Sequence, residues 1–165
     1  MRLRFSILIL LTALITTLQA NEHFLLPDQR SDLLHSLKSK IKRAKQITII
    51  TAYLHSKQLS KAIEKAISQG AELHLITTDL ESAARYAKYR HTKVYVPRHI
   101  REDTLFTITL LLIDNSDLCI ASLPFDEQYL KEQTGMVICT TDHEEITFAT
   151  SLQKTYTERF EPYSR

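Results

Sequence analysis

Residues 107–122 read TITLLLIDNSDLCIAS, and the chain is organised around this stretch. The unbroken aliphatic run Leu110, Leu111, Leu112 and Ile113 suits a strand covered on both faces. Asp114, Asn115, Ser116 and Asp117 then read as a tight turn, because Asx side chains bond their own backbone and tolerate left-handed geometry. Residues 118–122 return as a second strand. The stretch reads as a hairpin whose first strand is buried.

Working outward, residues 47–54 (ITIITAYL) are β-rich and read as a strand. A helix follows over 57–69, opened by Ser56, with Leu59, Ile63, Ala66 and Ile67 inward and Gly70 as its C-terminal cap. Glu72–Thr77 is the next strand, so the three elements form a βαβ unit with parallel strands and a right-handed crossover. A third helix over 80–89 leads to a short strand over 93–96, which ends at Pro97. Upstream, a helix over 31–45 is capped by Ser31 and places Leu33, Leu34, Leu37 and Ile41 on one side. Downstream, Gly135–Thr140 is a strand. Asp142 caps a last helix over 144–159, with Ile146, Ala149, Leu152 and Tyr156 facing inward. The expected fold is α/β, a single domain with a mixed β-sheet flanked by helices on both faces.

Residues 1–20 stand apart. Arg2 and Arg4 precede an apolar run over 5–18, and Ala20 offers a small residue before Asn21. That run is short for a membrane span and suits a signal peptide, with an uncleaved anchor as the other reading. Residues 21–165 form the domain, and an exported protein, periplasmic or secreted, is expected. The chain holds 21 basic and 19 acidic residues, and loss of Arg2 and Arg4 leaves 19 of each, so no overall pull toward polyanions follows. The distribution is uneven. Residues 30–101 carry 15 Lys/Arg and 5 Asp/Glu, and residues 102–145 carry 1 and 10. Two readings stay open: opposite surfaces that attract each other, or a basic face with weak affinity for nucleic acid or anionic lipid. Cys119 and Cys139 both fall in strands and are expected as buried free thiols, since bridge geometry is restrictive. No His or Cys sits at ligand spacing from either, and neither a metal nor a small-molecule cofactor is expected.

The order and wording of these elements resemble the phospholipase D superfamily, and in particular its small, exported, single-motif bacterial endonucleases. The resemblance covers roughly residues 30–162. It rests on the 47–54 strand with Tyr53 and Ser56, the helix from Leu59 to Gly70, Glu72–Thr77, the strand–turn–strand of 110–122 and the Gly135–Thr140 strand. The family signature is His-x-Lys-x4-Asp, followed by Gly-Ser and Asn. Asp114 matches the Asp, which places Thr107 at the His and Thr109 at the Lys. Ala121 and Ser122 then fall at Gly-Ser, Pro124 at the Asn, and Gln133 near a carboxylate the family often carries.

The resemblance implies a phosphodiesterase site in which one His attacks phosphorus, a second protonates the leaving oxygen, and Lys neutralises the phosphoryl charge. Thr107 has no proton-transfer capacity near neutral pH, and Thr109 brings no charge. The motif positions Thr107, Thr109, Asp114 and Ser122 therefore describe a degenerate site, with His55 and His99 as the histidines in reach of a rebuilt one. His55 follows the first strand, where α/β sites form. The expected protein is a pseudoenzyme, a non-catalytic binding or interaction module. The alternative is a divergent phosphodiesterase of endonuclease or phospholipase D type acting on nucleic acid or phospholipid. Single-motif members pair two copies to complete one site, so a homodimer through the degenerate face is also expected.

Overall fold

The computed structural model describes residues 21–98, 106 and 108–164. The segment expected as a signal peptide, together with His99 and Thr107, lies outside the described residues. Among the described residues, eight strands form one mixed sheet in the order β1-β7-β6-β5-β2-β3-β4-β8. Its centre is β2 (Gln46–Thr51), parallel to β3 (Glu72–Thr77), which is parallel in turn to β4 (Thr92–Val96). On its other side β2 pairs antiparallel with β5 (Thr109–Ile113), Ile49 opposite Leu111. The hairpin continues into β6 (Asp117–Ala121), β7 (Gly135–Thr140) pairs with β6, and β1 (Glu22–Leu26) closes that edge. A two-residue β8 (Glu161–Pro162) pairs with β4 at the far edge.

Helices α1 (Arg30–Arg43), α2 (Lys57–Ser68), α3 (Leu80–Tyr86) and α4 (Glu127–Glu132) contribute to one face, and α5 (His143–Arg159) covers the other. The pleat of β5 explains why its sequence does not alternate. Leu111 and Ile113 join Leu33, Leu37, Ile41, Leu59 and Ile63 in the larger core. Leu110 and Leu112 point the other way, onto Ile146 and Ala149 of α5. Both faces of the strand are buried, so both need apolar residues; each such leucine contributes about 2 kcal/mol. No described helix is long and apolar enough to cross a membrane.

Three expectations need correction. The first helix is not capped by Ser31: it begins at Arg30, with Gln29 at the N-cap, and the Gln29 amide oxygen accepts from Leu25 N–H at 2.7 Å instead. The edge strands β1 and β8 and the short α4 carry too few periodic residues to be read locally. The cysteines are not free. Cys119 lies directly opposite Cys139 in the β6–β7 ladder, Cα atoms 4.0 Å apart, and the two are joined by a disulfide. Strand register brings them face to face, and register between strands is set by turn and core packing beyond any local pattern.

Candidate functional site

The topology brings chemistry-bearing residues to one sheet edge. β2 and β3 run parallel and end there, antiparallel β5 begins there, β6 ends there and β7 begins there. That edge lies outside the carboxyl ends of parallel strands, the usual place for a site in an open α/β sheet. Thr51, Thr77, Thr109 and Ser122 meet at it, with His55 on the loop leaving β2.

Thr51 Oγ1 donates to the Tyr53 carbonyl at 2.9 Å and lies 2.9 Å from Thr109 Oγ1. A hydroxyl carries one proton, so Thr109 is the donor in the second bond. Both residues are buried, at 0 % and 1 % exposed. Position 109 is thus an uncharged strand residue whose hydroxyl is already used. Thr77 Oγ1 donates to the Ala52 carbonyl at 3.0 Å, and Ser56 N–H to the Phe125 carbonyl at 3.0 Å, which fixes the 52–56 loop against the 122–126 loop.

His55 is held between two carboxylates. Its Nε2 lies 2.8 Å from Asp79 Oδ2 and its Nδ1 3.6 Å from Asp126 Oδ2. Each aspartate also caps a helix: Asp79 accepts from Ser82 N–H at 2.8 Å, and Asp126 from Gln128 N–H at 2.7 Å. Burial raises the Asp79 pKa, but hydrogen bonds from Ser82 and His55, with the His55 charge, outweigh it and leave the group below its ordinary value. A depressed carboxylate stabilises the fold fully above its unfolded pKa and loses that contribution as pH falls through its own lower value. Asp79→Asn should therefore flatten the acid limb of a stability–pH curve below about pH 4. An unchanged acid limb in urea melts would remove Asp79 from this role.

Asp79 and Asp126 are not legible as site residues: Asp79 stands just before a helix, and Asp126 caps one too short to be read from the sequence. Asp114 moves the other way, out of the site. It stands at the opposite end of β5, about 17 Å along the strand from Thr109. Its Oδ1 accepts from the N–H groups of both Lys45 and Gln46, each at 2.8 Å. Ser122 is also structural here: its Oγ accepts from Met136 N–H and its own N–H donates to the Met136 carbonyl, both at 3.0 Å, extending the β6–β7 ladder. At Gly135 beside it a Cβ would fall 2.2 Å from Leu123 Cδ2, so any side chain there would displace the Leu123 side chain. Gln133 is exposed at the end of α4. A cavity of about 470 Å³ lies at the opposite edge, lined by Glu22, Lys40, Asp114 and Asp117. Its charges largely pair among themselves, with Lys40 3.2 Å from Asp117 and 3.6 Å from Glu22. No group of three or more His, Cys, Asp or Glu among the described residues is placed to hold a metal ion.

Among solved structures, the chain is similar to NucT from Helicobacter pylori, at TM-score 0.76 and 20 % identity over 87 % of this chain and 98 % of that one. It is also similar to Nuc from Salmonella typhimurium, a phospholipase D family member, at TM-score 0.69 and 11 % identity over 88 % and 99 %. The chain shares its fold with these two structures, the second of them a phospholipase D family member. The chain is also similar to TrmBL2, an archaeal chromatin protein, at TM-score 0.60 and 16 % identity over 98 % of this chain and 62 % of that one. No family model matches the sequence. No curated protein matches it either.

Proposed function

We propose that the protein is an exported, phospholipase D-like module that binds rather than hydrolyses. The observation that carries this reading is the Thr51–Thr109 hydrogen bond. The resemblance puts the phosphate-binding Lys of the family at position 109. A buried, neutral hydroxyl engaged by Thr51 offers no charge to a phosphoryl group in transfer, and stabilising that charge is normally a dominant source of rate enhancement. Thr107, at the nucleophile position, supplies no imidazole. The degenerate edge then serves as an interaction face, and a second copy of the chain is the partner expected there.

The test is a fluorogenic phosphodiesterase and plasmid-nicking assay on the purified protein, with chelator present and no added metal. Turnover at the no-enzyme background is expected, together with a dimer by sedimentation. Chelator-resistant turnover that co-purifies with the protein overturns the reading. A specific observation keeps a second one: His55, oriented by Asp79 at 2.8 Å, is a histidine–carboxylate pair at the correct edge. A divergent phosphodiesterase built on it would lose its turnover in His55→Ala, whereas unchanged turnover would exclude His55.

A further inference from the structure

α1 and α2 lie on the same face of the sheet and lead into β2 and β3 respectively. Those strands are parallel, so both helices end at the same sheet edge. Their inward stripes, Leu33, Leu37 and Ile41 on α1 and Leu59, Ile63 and Ala66 on α2, are buried. Their outward stripes are lysines one turn apart: Lys38 and Lys42 on α1, and Lys57, Lys61 and Lys65 on α2. Lys38 Nζ donates to Gln58 Oε1 at 2.9 Å, which sets the two stripes side by side. Lysines four residues apart are spaced about 6 Å along an axis, and packed helices lie about 8–10 Å apart.

None of these five lysines makes an ion pair among the described residues. Acid is scarce on the same helices. Glu64 is the one carboxylate of α2, and Arg85 holds it at 2.8 Å. The acidic half of the chain neutralises only the margin of this face, through Arg30 with Glu127 and Lys40 with Asp117. Like charges at i,i+4 destabilise a helix, so the pattern works against the fold that displays it.

We propose that the α1–α2 face binds the phosphate backbone of duplex nucleic acid. Two rows of unpaired cations suit two rows of phosphates, with affinity drawn from counterion release. The residues between the lysines, Ser39, Gln58 and Ser68 among them, are polar. The large exposed apolar side chains Leu25, Leu80, Ile108, Met136 and Phe148 all lie on other elements. The one exposed ring on these two helices is His35, too little to stack successive unpaired bases, and nothing there inserts into a bilayer, which favours a duplex over a single strand or a lipid surface. The proposal does not depend on whether the sheet edge is catalytic.

The experiment is fluorescence anisotropy of a fluorescein-labelled DNA duplex of arbitrary sequence, titrated with the purified protein across a salt series. With about four phosphate contacts, the log–log salt slope is about −3.6, roughly a 150-fold loss between about 50 and 200 mM salt. Lys61→Glu/Lys65→Glu should weaken binding about tenfold or more and flatten the slope by about 2. The charge-matched control Lys154→Glu/Arg159→Glu, at exposed positions on α5, should bind like the parent. All four positions are exposed, so the variants keep the parent melting curve. Equal losses in both pairs, affinity indifferent to salt, or binding to phosphatidylserine vesicles but not to duplex would each overturn the proposal.

Discussion

Cys119→Ala/Cys139→Ala should melt about 10 °C below the parent, a loss of about 3 kcal/mol. The bridge closes a loop of sequence separation 20 and joins two adjacent strands of the sheet. Cross-linking removes open conformations from the unfolded chain, so its loss acts through the denatured ensemble as well as through packing. Both cysteines are fully buried, at 0 % and 1 % exposed, so the substitution is a cleaner test than adding a reductant to the folded protein. Far-UV circular dichroism on heating gives the readout. A shift under about 2 °C would mean that the bridge contributes nothing at this position. The result also bears on location: a stabilising disulfide belongs to an oxidising compartment, in line with the export proposed above.

Asp114→Ala should cost about 2–3 kcal/mol, read as a lower urea midpoint with an unchanged slope. The substitution strips the shared acceptor from two backbone N–H groups, those of Lys45 and Gln46, where the chain enters β2. Asp114 and Asn115 also hold φ at 51° and 52°, the left-handed region that Asx residues tolerate and alanine does not favour. Asp114→Asn keeps both the Oδ1 acceptor and that tolerance, so it should stay within about 1 kcal/mol of the parent. Equal destabilisation by both variants would make the negative charge the active feature instead. In either case Asp114 acts on the fold, because it stands a strand's length from Thr109 and His55.

Much of this architecture is legible in local pattern. The apolar run of 110–113 marks the central doubly covered strand. The stripe Leu59, Ile63, Ala66 and Ile67 marks α2, and Ser56 and Asp142 are readable as caps and act as such. Asp114 also shows how a motif match and a structural role can part. The sequence aligns it with a catalytic signature, and only its two backbone partners reveal that it pins β2. His55 is in view as a lone histidine on a loop. The carboxylates that hold it lie 24 and 71 positions away, and nothing local links either to it.

The sequence by itself determined the α/β class, the parallel β2–α2–β3 unit, the central hairpin and the separation of basic from acidic residues. Those follow from periodicity, capping and turn chemistry, which act over a few residues. Tertiary structure alone decided that Cys119 meets Cys139, that Thr109 spends its hydroxyl on Thr51, and that His55 sits between Asp79 and Asp126. It also decided that the lysines of α1 and α2 form one unpaired face. Each of these depends on strand register and helix placement between segments far apart in the chain. Register is fixed by burying both sheet faces at once, a condition that no local stretch contains.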